Sequence, residues 1–547
     1  MHYNSPNDPF NSTLPLTPSN QTPPLSLKPL PHSRMVSTLI DCGATVPTVI
    51  NGSKWLPDAG FISAGTPKNL STAVLLPILS TVRSFPLRGN LRRKFCYDVP
   101  AYRTGKYLIR TTYFYGGING NNSPPVFDQI VDGTFWSLVN TTDDFRQGLS
   151  SYYEGVFIAT GKSISVCIAA NTYTDSDPFI SALELVLLAN SLYNSTNFGT
   201  YGLRLVARHS FGYNGSIIGY PDDLFDRYWE PFGENNPTMA SGRNVSVSGF
   251  WNLPPLKIFE TKLTTSQPVP LEFKWPPTSL PNSSYYIALY FADDRNSSSR
   301  VFNISINGII YYQDLNVTSA GVVVFANQWP LIGLTKITLN PAAGSSIGPL
   351  INAGEVFEEL ILGGKTLTRD GRKGRGRKEG NLLHISFPNY TLVIACKVIA
   401  LEQVKQSFQN PPTDWNGDPC LPSQYSWTGV TCSEGPRIRV VALNLTSMGL
   451  SGSLSPNLAN LTAFWLGNNS LSGTVPDFSP LKRLERLHLE DNQLSGEIPP
   501  SLGNINSLRE LFLQGNNLTG QVPSNLIKAG LNLKTSPGNQ FLSPPPS

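Results

Sequence analysis

Residues 484–500 read Leu-Glu-Arg-Leu-His-Leu-Glu-Asp-Asn-Gln-Leu-Ser-Gly-Glu-Ile-Pro-Pro, and this pattern of leucines returns several times in the C-terminal part of the chain. Its Leu-Ser-Gly or Leu-Thr-Gly step begins at Leu450, Leu471, Leu494 and Leu518, so the spacings are 21, 23 and 24 residues. A period of about 20–29 residues is typical of leucine-rich repeats, in which each repeat adds a short strand and stacks its leucines on the next. The sequence therefore predicts a solenoid of about four repeats over residues 433–530, followed by a Pro-rich tail over 531–547.

Two sets of positions in these repeats carry polar or aromatic residues. Three of the repeats carry an asparagine where its amide can bond the neighbouring loop backbone: Asn469, Asn492 and Asn516, whereas Met448 occupies this position in the first repeat. The residues between the strand leucines face the concave side, with two neighbours alongside: Asn444, Trp465, His488 and Phe512, with Arg486 and Glu490. Two aromatic side chains and a histidine on consecutive repeats suggest contact with a peptide or a co-receptor. The alternative is a short array that only caps the preceding module.

A cap over residues 398–432 is predicted to begin with a short helix. Leu401, Val404 and Phe408 share one helical face, and a Pro-Pro pair then ends the helix. Cys420 and Cys432 flank a short loop, and we predict a disulfide that stabilises the entry to the repeats by roughly 2–3 kcal/mol. The pairing of three further cysteines stays open, with one odd thiol among them: Cys42, Cys96 and Cys167.

Residues 35–362 contain short alternating strands separated by Gly, Pro and Asn clusters, which is the pattern of an all-β sandwich. Phe302, Ile304 and Ile306 alternate with polar residues, and Asn307-Gly308 then supplies a hairpin turn. A length of about 320 residues is large for one sandwich, so we predict two β lobes packed together. The predicted fold class is mainly β, with two tandem sandwich lobes followed by a short leucine-rich-repeat solenoid.

Five stretches between residues 39 and 530 carry a resemblance to a known family. They are Ile40-Asp-Cys-Gly43, Gly105-Lys-Tyr-Leu-Ile-Arg110, Pro178-Phe-Ile-Ser-Ala-Leu-Glu-Leu185, Ile351-Asn-Ala-Gly-Glu-Val-Phe-Glu358 and Trp415-Asn-Gly-Asp-Pro-Cys420. On these motifs and their order, the chain resembles the ectodomains of plant malectin-like, leucine-rich-repeat receptor-like kinases. The resemblance implies that residues 35–362 form a malectin-like domain of two lobes and that the chain recognises an extracellular ligand.

A carbohydrate site is a further expectation of that resemblance, where a strand ends and Gly116-Gly117 opens a loop. Sugar recognition needs flat aromatic faces and planar polar groups, which five residues here supply: Tyr113, Phe114, Tyr115, Asp128 and Trp136. The alternative is that these rings belong to the core. The implied ligands are a cell-wall carbohydrate or a small secreted peptide, with a receptor-like kinase as a further partner. No cofactor and no metal is implied.

The sequence predicts a binding protein and not an enzyme. The Gly-rich loop, strand lysine, His-Arg-Asp loop and Asp-Phe-Gly motif of kinases do not occur in it. Its five histidines include no pair at helical spacing and none beside a cysteine pair, so no zinc site is predicted. The first alternative is a co-receptor or scaffold that acts only through protein contacts, and the second is a glycoside hydrolase with paired carboxylates.

The net charge of +4 comes from residues 371–397, which carry six cations against one carboxylate. The remainder is close to neutral, which leaves no electrostatic basis for binding nucleic acid. This basic segment lies in a linker over 363–397 and interrupts the continuation from Asp370 to Val398 that is usual in the family. We therefore expect it to be dispensable for folding.

A secreted or cell-surface location is expected from the Asn-x-Ser/Thr acceptors in the chain. The acceptors are Asn51, Asn69, Asn140, Asn194, Asn214, Asn244, Asn282, Asn296, Asn303, Asn316, Asn444, Asn460, Asn468 and Asn517. Residues 1–34 are Pro- and Ser-rich, lack the apolar run of a signal peptide and are expected to be disordered. The sequence also lacks a stretch of about 20 apolar residues, the length that spans a membrane.

Overall fold

The computed structural model describes residues 37–363 and 401–544, with gaps at 51, 71–75, 88–93, 121–122, 234–237, 241–244, 248, 295–299, 402, 436–437 and 457–460. The predicted N-terminal segment and the basic segment 371–397 lie outside the described residues, as do four glycosylation acceptors: Asn51, Asn244, Asn296 and Asn460. The predicted fold class is confirmed, since the described residues form two β-sandwich lobes followed by a solenoid.

Residues 37–363 form a β module. Its strands are β1 (Ser37–Asp41), β2 (Thr48–Ile50), β3 (Ser53–Pro57), β4 (Thr66–Asn69), β5 (Thr81–Ser84), β6 (Lys94–Pro100), β7 (Lys106–Tyr113), β8 (Phe127–Val131), β9 (Thr134–Val139), β10 (Ser151–Ile158), β11 (Ser163–Ala170), β12 (Phe179–Ile180), β13 (Ala182–Leu187), β14 (Tyr201–Phe211), β15 (Glu230–Phe232), β16 (Thr238–Ala240), β17 (Thr261–Thr264), β18 (Leu271–Lys274), β19 (Leu280–Phe291), β20 (Val301–Ile306), β21 (Ile309–Asn316), β22 (Val322–Gly333), β23 (Lys336–Pro341), β24 (Leu350–Ile351) and β25 (Ala353–Ile361). Its helices are α1 (Thr142–Arg146) and the 3-10 turns Asp58–Gly60, Pro77–Leu79 and Leu256–Phe259.

One central sheet of eleven strands runs through both lobes. Its order is β2-β3-β1-β13-β7-β10-β14-β25-β19-β22, and β15 pairs with β14. Strands β10 and β14 pair antiparallel, with Gly155 opposite Arg204 and Val156 opposite Leu203. This pairing joins the first lobe (residues 37–200) to the second lobe (residues 201–363). The two predicted lobes are therefore connected by backbone hydrogen bonds within one sheet.

Each lobe closes its sandwich with a four-stranded outer sheet. The order is β6-β11-β8-β9 in the first lobe and β18-β23-β20-β21 in the second. Tyr107 and Ile109 of β7 point into the first core, and Phe302 of β20 lies in the second core, as the alternation of residues predicts. Asn307 and Gly308 have φ values of 50° and 80°, which a two-residue hairpin turn requires, and they connect β20 to β21.

The C-terminal part of the chain forms a solenoid with two sheets. Its strands are β26 (Val430–Cys432), β27 (Val440–Asn444), β28 (Ser451–Ser453), β29 (Ala463–Trp465), β30 (Ser470–Thr474), β31 (Arg486–His488), β32 (Gln493–Glu497), β33 (Glu510–Phe512), β34 (Asn517–Gln521), β35 (Asn532–Lys534) and β36 (Phe541–Ser543), with 3-10 turns at Ser423–Tyr425, Pro500–Asn504 and Ser524–Leu526. The concave sheet is β26-β27-β29-β31-β33-β35, and the opposite sheet is β28-β30-β32-β34-β36. Except for β26, which is antiparallel to β27, the strands pair in parallel.

One asparagine in each turn after the first bonds the loops of the solenoid, as predicted. Asn492 donates through Nδ2 to three backbone carbonyls at 3.0 to 3.2 Å, and its Oδ1 accepts the N–H of Leu471 at 3.0 Å. Asn469 and Asn516 make corresponding bonds. Past residue 530, the predicted end of the repeats, Asn539 makes the same bonds and β35 and β36 extend both sheets. Phe-Leu-Ser at 541–543 replaces the Leu-Ser-Gly step, which hides this turn in the sequence.

The cap is packed against the first turn of the solenoid. Residues 403–407 are helical, and one face of this segment is buried in the solenoid core. That face consists of Leu401, Val404 and Phe408. Cys420 and Cys432 form a disulfide, and Trp415 stacks on Trp427 with ring centroids 5.1 Å apart.

The cap also packs against the outer sheet of the first lobe. Tyr425 lies in a buried cluster with the disulfide between Cys96 and Cys167, which leaves Cys42 as a buried free thiol. Lys94 donates through Nζ to two backbone carbonyls of the cap, and burial lowers the pKa of Lys94 to about 8. The β module and the repeats are therefore joined by a packed interface as well as by the chain.

Candidate functional site

The five residues expected to form a carbohydrate site are all buried. Tyr113, Tyr115 and Trp136 expose at most 1% of their surface and lie in the core of the first lobe, while Phe114 exposes 9% and Asp128 exposes 8%. A ring enclosed by the core has no face to offer a sugar. The expectation of a carbohydrate site at these residues is therefore corrected, and the alternative that the rings are core holds.

Asp128 is buried because the cap covers the outer sheet on which it lies. Tyr425 of the cap donates through Oη to Asp128 Oδ2 at 2.5 Å, and Asn171 donates through Nδ2 to Asp128 Oδ1 at 2.7 Å. Every residue of its strand, β8, is buried. Asp128 therefore bonds the first lobe to the cap.

The residues predicted for the concave face form a row across neighbouring strands. In the parallel register Asn444 lies opposite Trp465, Trp465 opposite His488, and His488 opposite Phe512. The structure adds Lys534, which lies opposite Phe512 in the turn that the sequence did not reveal. Asn444 is exposed, whereas the three rings are half-buried. We call Trp465, His488, Phe512 and Lys534 the ladder.

The side chains of the ladder contact one another directly. Trp465 meets His488 edge to face, with centroids 6.2 Å apart and planes at 83°, and His488 stacks on Phe512 at 4.1 Å and 16°. The Lys534 ammonium lies 4.3 Å from the centroid of the Phe512 ring, within the range of a cation–π interaction. The ladder is thus a continuous surface over four turns of the solenoid.

Polar groups flank the ladder on both sides. His488 Nε2 lies 2.9 Å from Glu510 Oε2, and Arg486 Nε donates to Glu510 Oε1 at 3.4 Å. Glu490 and Gln514 lie two residues after His488 and Phe512. Their atoms Glu490 Oε2 and Gln514 Oε1 are buried and have no donor among the described residues. Buried acceptors are nearly always bonded in native proteins. Two buried acceptors beside the ladder thus have no donor within the part of the chain that the structure describes.

The central sheet carries a row of buried charges that the sequence analysis missed. Five side chains of alternating sign lie on adjacent strands: Glu184 of β13, Arg110 of β7, Glu154 of β10, Arg208 of β14 and Glu355 of β25. Arg110 contacts Glu154 at 2.8 Å and Glu184 at 3.3 Å, and Arg208 contacts Glu154 at 2.6 Å and Glu355 at 3.0 Å. All five are at most 2% exposed. We call them the charge row.

The charge row contributes to the floor of a groove between the two lobes. The groove has a volume of about 920 Å³, and its floor includes Glu154, Glu184 and Arg208. Its rim carries three exposed apolar side chains: Leu76, Leu149 and Ile217. A smaller cavity of about 200 Å³ shares Tyr153 and Glu154 with the groove and is lined by Trp136.

Glu230 lies in the groove with two hydrogen-bonding partners. Tyr152 donates through Oη to Glu230 Oε1 at 2.6 Å, and His209 Nε2 lies 3.5 Å from Glu230 Oε2. Trp275 donates through Nε1 to His209 Nδ1 at 3.0 Å, and because an indole only donates, the imidazole carries its proton on Nε2, toward Glu230. The hydrogen bond from His209 lowers the pKa of Glu230, so this carboxylate stays ionised near neutral pH.

The glycosylation acceptors within the described residues are accessible. Each is at least partly exposed: Asn69, Asn140, Asn194, Asn214, Asn282, Asn303, Asn316, Asn444, Asn468 and Asn517. Over the same residues, no helix has both the length and the apolar character needed to cross a membrane. No group of His, Cys, Asp and Glu in this part of the chain could hold a metal ion.

Four segments of the chain match three known families. Residues 40–359 match the malectin-like domain, and residues 398–433 match the leucine-rich-repeat N-terminal domain. Residues 483–505 and 507–529 match the leucine-rich repeat itself.

The curated relatives are larger than this chain. One, a probable LRR receptor-like serine/threonine-protein kinase of Arabidopsis thaliana, is 28% identical over 510 residues, which is 85% of this chain and 49% of that protein. A second leucine-rich repeat receptor-like serine/threonine-protein kinase of Arabidopsis thaliana is 29% identical over 426 residues, or 75% of this chain and 44% of that protein. The chain thus spans about half the length of the curated relatives it matches. Among solved structures, the ANX2 ectodomain from Arabidopsis thaliana aligns with 59% of this chain and 97% of its own length, at 15% identity and a TM-score of 0.49.

Proposed function

The chain belongs to the malectin-like domain family, and from that premise we propose that it is the ligand-recognition part of an extracellular receptor. The curated relatives are receptor-like kinases, which supports a role in recognition at the cell surface. The proposed ligand is a small secreted peptide, and a receptor-like kinase is a further partner. Its proposed role is binding without catalysis.

The observation that carries this proposal is the ladder. Solenoid proteins bind partners on their concave face, and half-buried aromatic side chains supply most of the energy in protein interfaces. Trp465, His488 and Phe512 form a continuous row on that face and are only half-buried, so part of each ring is open to a side chain of a peptide.

A peptide suits the ladder better than a carbohydrate does. Sugars stack on open ring faces, but one face of His488 lies against Phe512, and Lys534 lies over the Phe512 ring. These contacts cover ring faces, whereas ring edges pack well against methyl and aromatic side chains. The buried residues once expected to contact sugar give the carbohydrate alternative no support.

The carboxylates of the groove favour binding over glycoside hydrolysis. A glycosidase needs one carboxylic acid that holds a proton near neutral pH. Glu154 and Glu184 contact Arg110, and the pKa of Glu230 is lowered rather than raised. None of these three groups has the environment of a general acid.

The test uses the full chain and the low-molecular-weight peptide fraction of plant extracellular fluid. Retained peptides are identified by mass spectrometry for the wild type and for Phe512→Ala. We expect Phe512→Ala to lose most of the retained peptides, with affinity reduced about thirtyfold, because it removes the central ring of the ladder. The matched control is Phe541→Ala, which removes an exposed ring from the opposite sheet and should retain the same peptides. Equal retention by both variants would contradict the proposal.

A further inference from the structure

Asn444 lies at the end of the row that the ladder continues. Its strand β27 pairs with the strand of Trp465, and the parallel register places the two residues opposite each other. Asn444 is exposed and begins the acceptor motif Asn444-Leu445-Thr446. Leu443 and Leu445, on either side of it, are buried in the solenoid core and fix its position on the concave face. The same residue is thus a neighbour of the ladder and an acceptor for a glycan.

The amide of Asn444 is oriented in a way that suits attachment. Its Oδ1 accepts the N–H of Thr446 at 3.2 Å, so the oxygen is turned toward the third residue of the motif. The nitrogen Nδ2, to which a glycan is joined, has no acceptor within the residues that the structure describes. In the next turn, by contrast, Asn468 donates through Nδ2 to Ser447 Oγ at 2.8 Å. Asn444 therefore keeps its nitrogen available, whereas Asn468 must first give up a hydrogen bond.

A glycan at Asn444 would cover the nearest part of the ladder. Neighbouring strands of a sheet lie about 4.8 Å apart, so Trp465 is one spacing from Asn444, and Lys534 is four spacings or about 19 Å away. An N-linked glycan is bulky on this scale. Trp465 is half-buried and presents an apolar ring beside the attachment point. The sugar would therefore lie against Trp465 and leave the Lys534 end of the ladder open.

We propose that Asn444 carries an N-linked glycan that covers Trp465 and confines the peptide ligand to His488, Phe512 and Lys534. This inference rests on the proposed function, because it concerns the ladder as the site of a peptide. The part left open spans two strand spacings, or about 10 Å, which is the length of about three residues of an extended peptide. Without the glycan the open part grows to about 14 Å and about four residues. The glycan thus decides which part of the ladder a ligand contacts.

The first measurement is the occupancy of Asn444 in the full chain, exported from plant cells with an added signal peptide. Mass spectrometry of glycopeptides should find Asn444 modified in wild type and unmodified in Thr446→Ala, which removes the acceptor motif and keeps the asparagine. Asn517→Gln removes a motif of the same sequence, Asn-Leu-Thr, from the opposite sheet and is the matched control. Exported wild type in which Asn444 carries no glycan would overturn the proposal.

The second measurement uses decapeptides selected from a displayed random library on the full Thr446→Ala chain. We expect these peptides to bind glycosylated wild type about tenfold more weakly, because the glycan covers one of the rings that they contact. Trp465→Ala should weaken them by a similar factor when it is combined with Thr446→Ala, and it should have no effect in the glycosylated chain. Asn517→Gln should bind them as wild type does. Equal effects of Trp465→Ala in both chains would contradict the proposal.

Phe512→Ala separates this inference from the proposed function. If the selected peptides bind equally well when Phe512→Ala is added to Thr446→Ala, the ladder is not the peptide site. The proposed function then fails, and this inference fails with it. If Phe512→Ala weakens binding but the glycan does not, the proposed function stands and only the inference from Asn444 fails. Thermal melting of each variant establishes that it is folded.

Discussion

The β module and the repeats bury polar groups in opposite ways. In the module, five charged side chains from five adjacent strands form one network, and its members come from positions as distant as Arg110 and Glu355. In the repeats, four successive turns each carry an asparagine, which bonds only the backbone of its own turn and the neighbouring ones. The first arrangement depends on the whole sheet being assembled. The second depends on two turns at a time, as in other solenoids.

This difference predicts that a destabilising substitution affects the whole β module, whereas in the repeats it affects only the neighbouring turns. A buried ion pair that loses one partner leaves a charge in a medium of low polarity, which is far costlier than a missing neutral hydrogen bond. The three experiments below test the contrast from the largest expected effect to the smallest.

Removing a cation from the charge row should give the largest effect. Arg110→Met leaves Glu154, Glu184 and Asp226 without their shared guanidinium, and we expect the free energy of unfolding to fall by about 3–5 kcal/mol. Urea unfolding followed by tryptophan fluorescence measures the change. In Arg146→Met the pair that is lost is exposed, so a change within about 0.5 kcal/mol is expected. If both variants cost the same, the charge row does not hold the module together.

Removing one amide from the repeats should cost less and stay confined. Asn492→Ala deletes three donated bonds and one accepted bond, and we expect a local loss of about 1–3 kcal/mol. Hydrogen exchange should show faster opening in the turns around residue 492 and unchanged protection in β7 and β10. Asn517→Ala alters an exposed asparagine of the next turn and serves as the control. Loss of protection in the β module would contradict the idea that damage in the repeats stays local.

The smallest effect is expected where the two regions meet. Tyr425→Phe removes the hydroxyl that donates to Asp128, and we expect a loss of about 0.5–1.5 kcal/mol. Two-transition calorimetry with and without the substitution measures how strongly the cap and the first lobe are coupled. Tyr173→Phe removes an exposed hydroxyl from the same lobe and should change neither transition. If only Tyr425→Phe moves the melting temperatures of the two regions apart, the hydrogen bond to Asp128 couples them. Unchanged transitions in both variants would contradict this coupling.

The fold was largely predictable from the sequence because its signals are local. The alternation in β20 lies within a few residues, and the leucines and asparagines of the solenoid recur within one or two repeats. The structure contains all of these features. The last turn of the solenoid was missed because Phe541 and its neighbours replace the repeated Leu-Ser-Gly step. A search for the asparagine spacing alone would have found Asn539.

The sites were less predictable because they depend on contacts between distant segments. Whether Asp128 is exposed is decided by Tyr425, which lies in another domain of the sequence. The charge row left one signal: Arg110, Glu184 and Glu355 are charged residues inside the motifs that already marked the family. Their pairing required the register of the central sheet, which no single segment contains.

The charge row also has an evolutionary consequence. Natural proteins lie only slightly above the stability that function requires, so a single substitution that leaves a buried charge unpaired tends to be removed by selection. Members of the row are therefore expected to change in pairs, through intermediates that other parts of the sheet must tolerate. A turn of the solenoid, in contrast, can be gained or lost at the cost of one interface between neighbours. Descendants of this chain should diverge in repeat number well before they diverge at Arg110 or Arg208.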